Sequence, residues 1–576
     1  MVVSLVESAK RQIDEIIGEA YKKALAAGKL PERADVSPGT GLPAGSVEIP
    51  RESSHGDYAA THAMAAAKGM KLPPRKIAEA LAEHLELDGS YFRSFSIAGP
   101  GFLNFALSAK WYGEVLQAVE TMGDGYGSVD AGGGQRVMVE FVSANPTGPM
   151  TIGNARGGVL GDTLASILKK AGYNVWREFL VNDAGNQVEL FGRSIDARYM
   201  QICLGAENYG FPEDGYHGDD IKDLAAMIYE AEGDSLQHLQ IAERIERFTA
   251  FALPYNIALM KEHLERYRIH FDEWFHESKL HESGYVADTV ERLEKSGLLY
   301  EKEGALWLRN IDLGADKDEV LRRANGYYTY YAADIAYHRN KLERGFDRVI
   351  DVWGADHHGH AIRMKASLSS PELGEALGVD GSKLDFLLMQ MVRLMRDGET
   401  VKVSKRTGKA MSLSDLLDEI SVDACRFFFN AKPDSHLEFD LGLAVRQDSE
   451  NPVYYVQYAH ARICSMIAVL AMEGIKVPES RDIDAALLDT QQELELIKQI
   501  SQLPEEIRLA ARDYDPSRIN KYAIELAARF HRFYSACRIK GEERGLLLAR
   551  LKLADTVRAV IKSCLNLLGV TAPEKM

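Results

Sequence analysis

The sequence lacks the features that mark several large classes of protein. Its 576 residues contain no run of about 18 apolar residues, the length that a membrane-spanning helix needs. The segment 1–30 places charged side chains among apolar ones at helical spacing, whereas a signal peptide needs an uninterrupted apolar stretch. We therefore expect a cytoplasmic protein that does not bind membranes.

Cysteine is also scarce. The chain has five cysteines, far apart and without a Cys-x-x-Cys pair: Cys203, Cys425, Cys464, Cys537 and Cys564. A disulfide framework and a zinc knuckle both rely on regularly spaced cysteines. We therefore expect neither disulfides nor zinc in this protein.

Basic residues are too few for a protein that binds nucleic acid through its overall charge. Lys and Arg number 68 against 85 Asp and Glu, which leaves a formal net charge of −17. The segment 508–562 is an exception, because it holds 13 basic and 6 acidic residues. This basic segment predicts either a local site for an anionic partner or a solvated helical face.

The chain is too long for one hydrophobic core, and changes in its pattern divide it into four parts. A small α+β domain is expected at 1–115. Near-continuous apolar strands alternate with helices in 116–410, which predicts a Rossmann-like parallel sheet with a helical insertion at about 190–300. A connecting helical segment at 411–450 leads to an all-α bundle at 451–576. The predicted fold class is therefore α/β.

One loop of the predicted sheet joins a strand at 137–142 to a helix that begins near Asn154. Its sequence is Ser-Ala-Asn-Pro-Thr-Gly-Pro-Met-Thr-Ile-Gly-Asn. Ligands bind at this edge of a parallel sheet, and a helix N-terminus favours anions. The glycines that follow in the helix also fit a simple packing role in a tight crossover, so both interpretations stay open.

A second loop, at 396–409, carries four lysine and arginine residues within eight positions, with small residues between them. Such a loop can close over a polyphosphate and place ammonium groups where charge develops as pyrophosphate leaves. A solvated basic loop would have the same composition.

Together the two loops resemble the signatures of the class I aminoacyl-tRNA synthetases. The first is similar to the His-Ile-Gly-His signature and the second to the Lys-Met-Ser-Lys-Ser signature. Within this class the chain resembles the arginyl-tRNA synthetases from end to end. The supporting stretches are 99–105, 140–154, 181–187, 330–334, 353–358 and 455–462.

The resemblance implies an arginine–tRNA ligase. Such an enzyme uses ATP with Mg²⁺ to activate L-arginine as arginyl-adenylate, and then transfers arginine to the 3′ end of tRNA(Arg), giving AMP and pyrophosphate. Arginine activation in this family generally needs the tRNA. The resemblance implies neither a structural metal nor an editing domain. We also expect a monomer.

The resemblance also assigns an arginine site. Glu140 and Asn145 would hold the α-amino end, whereas Tyr330, Asp334 and Asp356 would line the guanidinium pocket. A guanidinium is a planar fork of donors that carboxylates meet bidentately. A lysine in such a pocket would leave buried acceptors unpaired, which explains how it is rejected.

Two features of this site have alternative interpretations. Asp334 also fits an ion pair with Arg339 or Lys341 on a helix. Three neighbouring histidines look like a metal cluster, although contacts with ATP or with pocket side chains fit the resemblance better: His357, His358 and His360.

The resemblance extends to ATP and to the tRNA. The residues expected to bind ATP are Gly153, Asn154, Gly354, Asp356, Lys402 and Lys405. The residues expected to be catalytic are Thr151, Asn154, Lys402, Ser404 and Lys405. Phe102 and Asn104 match the position that contacts the tRNA D-loop. In the C-terminal bundle, which would bind the anticodon, Tyr454 and Tyr458 either stack on unpaired bases or belong to the core.

Both histidines of the first signature are missing, and Thr151 and Asn154 occupy their positions. A hydroxyl and a carboxamide can donate to phosphate oxygens but carry no charge. Each loss would cost on the order of 1–3 kcal/mol in the transition state. A second hypothesis is therefore a tRNA-binding paralogue or variant with impaired activation. A third, a nucleotidyltransferase on the same fold, would not need the turn at 99–105 or the C-terminal bundle.

Overall fold

The computed structural model describes residues 4–32, 41–42, 45–50, 52–401, 411–432 and 435–576. Within these ranges, no helix combines the length and the apolar character that crossing a bilayer requires. The chain forms an N-terminal α+β unit, a central unit around a parallel sheet and a C-terminal helical bundle. This architecture confirms the predicted α/β fold class.

The N-terminal unit is a four-stranded antiparallel sheet with helices packed on it. Its elements are α1 (Leu5–Ala26), β1 (Val47–Glu48), β2 (Tyr58–Ala60), α2 (His62–Met70), α3 (Pro74–Ala82), β3 (Phe92–Ala98), β4 (Phe102–Leu107) and α4 (Ala109–Met122). The strands lie in the order β1-β2-β4-β3. Helix α1 buries Val6, Ala9, Ile13 and Ile17, whose three- and four-residue spacing places them on one face.

The central unit contains the predicted parallel sheet. Its first elements are β5 (Arg136–Glu140), α5 (Ile152–Lys170), β6 (Asn174–Val181), α6 (Asn186–Leu204), α7 (Asp219–Glu232), α8 (Ile241–Arg266), β7 (Glu273–His276), α9 (Ser278–Glu282) and α10 (Tyr285–Lys295). They continue with β8 (Leu299–Lys302), β9 (Ala305–Leu308), β10 (Glu319–Arg322), α11 (Tyr330–Glu343), β11 (Arg348–Gly354), α12 (His358–Ser369), α13 (Pro371–Leu377), β12 (Leu384–Met389), β13 (Val392–Arg396) and β14 (Glu399–Thr400).

Five of these strands form a fully parallel sheet in the order β12-β11-β5-β6-β7. The chain builds the sheet outward from β5 in one direction and then returns to add β11 and β12 on the other side. Helix α5 lies close against β5, because a Cβ at Gly161 would stand 2.2 Å from Cγ of Phe141. The predicted packing role is therefore correct for this glycine.

The C-terminal part is the predicted all-α bundle, preceded by a short mixed segment. Its elements are α14 (Leu413–Glu419), α15 (Val422–Phe429), β15 (Leu437–Asp440), α16 (Leu441–Ala444), α17 (Pro452–Met472), α18 (Gln491–Ser501), α19 (Leu503–Asp513), α20 (Ser517–Ala536) and α21 (Arg544–Leu567). Helices α18 and α21 pack on α4, so the bundle reaches back to the N-terminal unit. One continuous apolar core joins the three units.

Three short strands correct the sequence-based prediction. The insertion expected at about 190–300 is not wholly helical, because β7 lies inside it and forms an edge of the parallel sheet. Strand β12 ends at Met389, and β13, which begins at Val392, belongs to a separate sheet rather than to the predicted parallel one. Strand β15, in the segment expected to be helical, pairs in parallel with β13. Each of these strands has only four to six residues, which is too short for a clear period.

Candidate functional site

A cavity of about 740 Å³ opens at the carboxyl ends of β5 and β11. The strand order reverses between these two strands, and parallel α/β sheets bind ligands at such a switch point. Nine residues predicted to bind substrates or to act in catalysis line the cavity: Glu140, Asn145, Thr151, Gly153, Asn154, Tyr330, Asp334, Gly354 and Asp356. The structure therefore brings together all the predicted arginine residues and four of the six predicted ATP residues, namely Gly153, Asn154, Gly354 and Asp356.

The chain leaves β5 through a strained turn. Val142 and Ser143 both adopt positive φ angles, of 70° and 38°, which is unfavourable for a β-branched valine. The hydroxyl of Ser143 donates to Oε1 of Glu140 at 2.7 Å and accepts from the N–H of Leu180 at 3.1 Å. These two bonds tie the turn to β5 and to β6, and so fix where the following loop enters the cavity.

Asn145 is held by the segment that follows β6. Its Oδ1 accepts from Nδ2 of Asn182 at 2.8 Å, and its own amide nitrogen donates to Gln187. Both partners belong to the stretch 181–187, one of those that carry the resemblance. The loop after β5 and the loop after β6 therefore form one hydrogen-bonded wall of the cavity.

Thr151 and Asn154 together cap the N-terminus of α5. Thr151 Oγ1 accepts from the N–H of Asn154 at 3.2 Å, and Asn154 Oδ1 accepts from the N–H of Thr151 at 2.9 Å. This is a capping box, in which two backbone donors of the helix end are satisfied reciprocally. The Thr-x-x-Asn spacing in the sequence is compatible with such a capping box. These bonds use the carbonyl oxygen of Asn154 rather than its NH₂ group.

The Asp334 carboxylate is paired with a histidine. Nε2 of His360 lies 2.7 Å from Oδ2 of Asp334, and the His360 ring stacks on Trp353. The alternative ion pairs predicted for Asp334 are therefore wrong. Arg339 contacts Asp288 and Glu343 instead, and Lys341 contacts Glu140 and Asp351.

A second carboxylate, missed in the sequence, lies near Asp334. Glu277 directly follows β7 and has a largely buried side chain. Burial raises the pKa of Glu277 above its usual range, and the negative charge of Asp334 adds to the effect. Because β7 itself was not predicted, the sequence offered no strand end at which to place this residue.

A buried ion network lies beneath the cavity. Nζ of Lys341 lies 2.8 Å from Oδ1 of Asp351 and also contacts the carboxylate of Glu140. His338 Nε2 lies 2.7 Å from the other oxygen of Asp351. Burial alone would lower the pKa of Lys341, but the charges of Asp351 and Glu140 outweigh it and raise that pKa. The network fixes α11, which carries Asp334, to β5 and β11.

The three neighbouring histidines do not converge. His360 turns inward to Asp334, whereas Nε2 of His357 stands 3.6 Å from Oδ2 of the exposed Asp356. In the part of the chain that the structure describes, no group of three or more His, Cys, Asp or Glu side chains is placed to hold a metal ion. Gly354 and Asp356 remain at the end of β11, on the rim of the cavity.

The second loop carries three predicted residues that lie outside the described residues: Lys402, Ser404 and Lys405. The chain after the loop is joined to the first loop, because Leu413 N–H donates to the carbonyl of Met150 at 2.8 Å. The buried Arg156 of α5 donates to the carbonyls of Met391 and Ser435, at 3.2 and 3.0 Å. Described segments before and after the second loop are thus bonded to α5 and to the loop that precedes α5.

The four residues predicted to contact tRNA differ in accessibility. Phe102 is half-buried, but Asn104 is only 4% exposed within β4, at odds with a direct contact to RNA. Tyr454 and Tyr458 stack with ring centroids 6.0 Å apart, and Tyr458 is 37% exposed. The interpretation of Tyr458 as a core residue is therefore wrong. The Asn104 side chain, by contrast, is buried by the surrounding sheet and does not reach the surface.

The basic segment 508–562 is largely neutralised within the fold. Most of its cations pair with acidic side chains: Arg508, Arg512, Arg518, Arg529, Arg532, Lys540, Arg550, Lys552 and Arg558. Arg550 and Lys552 are also buried. The excess of positive charge in the sequence therefore does not form one continuous basic surface.

Comparisons with known proteins agree with this geometry. The model of the arginyl tRNA synthetase N-terminal domain matches 11–107, that of the class I (R) tRNA synthetase catalytic domain matches 116–440, and that of the DALR anticodon binding domain matches 456–576. The chain is 49% identical to the arginine–tRNA ligase of Acetivibrio thermocellus, over 100% of both chains. It is 51% identical to that of Ruminiclostridium cellulolyticum, over 98% of this chain and 99% of the relative.

A solved structure shares the fold over nearly the whole length. The arginyl-tRNA synthetase of Thermus thermophilus superposes with a TM-score of 0.70 at 22% identity, over 98% of this chain and 100% of the other. The three family models account for the N-terminal unit, the sheet with its cavity, and the bundle in turn. The chain therefore belongs to the arginyl-tRNA synthetases, a family of class I aminoacyl-tRNA synthetases.

Proposed function

We propose that the chain is an arginine–tRNA ligase that activates L-arginine with ATP and Mg²⁺ and transfers it to tRNA(Arg). The observation that carries this proposal is that Asp334, Tyr330 and the N-terminus of α5 all line one and the same cavity. The carboxylate suits a guanidinium, and the helix N-terminus suits phosphates. The proposal includes a cytoplasmic monomer that needs no zinc.

The guanidinium end of arginine is proposed to lie against Asp334, with Tyr330 at the mouth. Tyr330 is 65% exposed, so its ring is available to cover a ligand. The carboxylate of Asp334 lines this end of the cavity, and its negative charge favours a cation over a neutral side chain. Asp356, exposed on the rim, is the least enclosed of the carboxylates proposed for arginine.

The α-amino end is proposed to lie at the turn after β5. The Asn145 amide is fixed by its two partners, so it offers a preorganised polar edge. The Glu140 carboxylate already accepts bonds from Ser143 and Lys341. A carboxylate has about four lone-pair sites, so Glu140 can accept a further bond from the α-ammonium while it holds the turn.

ATP is proposed to lie between the end of β11 and the start of α5. Gly153 and Asn154 offer backbone and amide donors to the phosphates, and the helix dipole adds partial positive charge there. Gly354 and Asp356 would face the nucleoside. Lys402 and Lys405 of the second loop would complete the phosphate site and replace, in part, the charge that Thr151 and Asn154 lack.

In the first step the arginine carboxylate attacks the α-phosphorus of ATP. A bond forms between the carboxylate oxygen and phosphorus as the bond to the bridging oxygen breaks, and pyrophosphate leaves with the electron pair. Lys405 is proposed to stabilise the charge that develops on this leaving group. In the second step a ribose hydroxyl at the 3′ end of the tRNA attacks the arginyl carbonyl, loses its proton, and AMP departs.

Arginine-dependent ATP–pyrophosphate exchange, measured with and without tRNA(Arg), tests the proposal. Exchange that requires arginine and rises with tRNA would support it, and lysine in place of arginine serves as the matched control. Salt-sensitive tRNA binding without exchange would instead favour the variant with impaired activation, which the uncharged pair Thr151 and Asn154 motivates. Exchange without any tRNA binding would favour a nucleotidyltransferase.

A further inference from the structure

His360 is enclosed by aromatic rings that leave it one polar contact to the cavity. Its ring stacks on Trp353, with centroids 5.4 Å apart and planes 21° apart, and meets Tyr331 edge-on at 5.5 Å. The hydroxyl of Tyr331 is itself bonded to Ser367 at 2.9 Å and to Asn310 at 3.0 Å. The ring is therefore held in place from two sides, and Nε2 points at Oδ2 of Asp334.

This contact fixes the plane of the Asp334 carboxylate. Oδ2 accepts from His360 at 2.7 Å, so the remaining lone pairs of the two oxygens keep one orientation toward the cavity. A guanidinium donates two parallel N–H bonds, which form together only when the carboxylate plane matches the plane of the fork. A carboxylate that rotated freely would lose this match for part of the time.

The chemical type of the donor also matters. A lysine or arginine at position 360 would orient Asp334 equally well, but its charge would cancel the negative charge that a guanidinium needs. A neutral imidazole that carries its proton on Nε2 orients the carboxylate and leaves its charge available. The aromatic partners Trp353 and Tyr331 hold the ring through contacts that add no charge of their own.

We propose that His360 is a positioning residue for arginine selection, which donates from Nε2 to Asp334 and so orients that carboxylate toward the cavity. This inference rests on the proposed function, because it assumes that Asp334 binds the guanidinium. It assigns to one of the three neighbouring histidines a role in amino-acid recognition rather than in metal or ATP binding.

Three variants at this position separate orientation from packing and from charge. His360→Gln keeps a neutral donor, His360→Phe keeps a ring but removes the donor, and His360→Lys keeps a donor but adds a charge. The readout is tRNA-dependent exchange, with KM determined separately for arginine and for ATP, and kcat for each variant. Thermal unfolding and tRNA affinity show whether each variant is folded.

We expect His360→Phe to raise the KM for arginine about tenfold or more, since a hydrogen bond to a charged group is lost, with little change in the KM for ATP. His360→Gln should stay within about threefold of the parent, as the donor is kept. His360→Lys should lose arginine affinity at least as strongly as His360→Phe, because Asp334 is neutralised.

Equal losses in all three variants, or an unchanged arginine KM in His360→Phe, would overturn the inference and leave His360 a packing residue. A KM for ATP that rises as much as that for arginine would also overturn it. Wild-type protein without arginine-dependent exchange would overturn the proposed function itself. Failure of the inference and failure of the proposed function are thus distinguishable, because only failure of the proposed function would be seen in the wild-type protein.

Discussion

Oδ1 of Asn154 accepts a hydrogen bond from the backbone N–H of Thr151 at 2.9 Å, three residues before it in the chain. These are the two positions at which the class I signature carries histidine. In this chain Thr151 and Asn154 form a capping box instead, and this box stabilises the first turn of α5. We therefore propose that the helix end, rather than an imidazolium, supplies the positive potential for the ATP phosphates.

Thr151→Ala removes the N-cap side chain and should destabilise the protein by about 1 kcal/mol, since an unsatisfied helix N-terminus frays. We expect the exchange rate to fall as well, because the end of α5 that is proposed to bind phosphates is then less ordered. The measurement is urea unfolding together with arginine-dependent exchange. Thr151→Ser keeps the capping oxygen and should retain both properties, and parent-like exchange in Thr151→Ala would contradict a role for the cap.

Lys341→Met should be strongly destabilising, by about 3–5 kcal/mol, because it leaves two buried carboxylates without their cation. Lys341, Glu140 and Asp351 are all buried, so solvent cannot compensate for the lost charge. Lys295→Met, which breaks an exposed ion pair with Glu291, is the matched control and should cost at most about 1 kcal/mol. Equal urea midpoints for the two variants would show that the buried network adds no net stability.

Most of the fold could be predicted because its strongest signals are local. The near-continuous apolar strand β5 and the helix that follows it mark a parallel crossover, and amphipathic helices mark the bundle. Strands β7 and β15 were missed because four residues are too few to establish a strand from their pattern alone. Their pairing is decided by the neighbouring strands, which sequence spacing does not reveal.

The site was predicted in part. Residues at strand ends and in the two loops could be named from the resemblance and from the switch-point rule, and nine of them line one cavity. The contact of His360 with Asp334 and that of Lys341 with Glu140 could not be predicted. Each depends on how α11 is rotated against its neighbours, and Lys341 and Glu140 are 201 residues apart in the chain.

Lys405→Ala should reduce arginyl-adenylate formation by about 100-fold or more, because its ammonium is proposed to act on charge that develops only in the transition state. Affinity for tRNA should stay nearly the same. The measurements are pyrophosphate exchange and tRNA binding at the same ionic strength. The control is Lys409→Ala, which removes another lysine of the same loop outside the signature. If Lys405→Ala lost tRNA binding as strongly as adenylate formation, the assignment would be contradicted.

Asp423 connects α15 to the end of the chain. Its carboxylate accepts from Gln457 at 2.8 Å and from the backbone N–H of Thr571 at 3.1 Å, and it pairs with Arg268. Burial alone would raise the pKa of Asp423, but the hydrogen bonds from Thr571 and Arg268 outweigh it and lower that pKa. The bundle is thereby joined to the central unit through an ionised side chain.

The lowered pKa makes this contact sensitive to acid. At pH values between the lowered native pKa and the unfolded pKa of about 3.9, Asp423 binds fewer protons in the native state than in the unfolded state. Its stabilising contribution is therefore complete above the unfolded pKa. This contribution is lost as the pH falls through the native pKa. Asp423→Asn should therefore unfold at lower urea than the parent at pH 7, and the gap should narrow below about pH 4. The exposed Asp489→Asn is the control, and a gap independent of pH would show that packing, rather than charge, holds this junction.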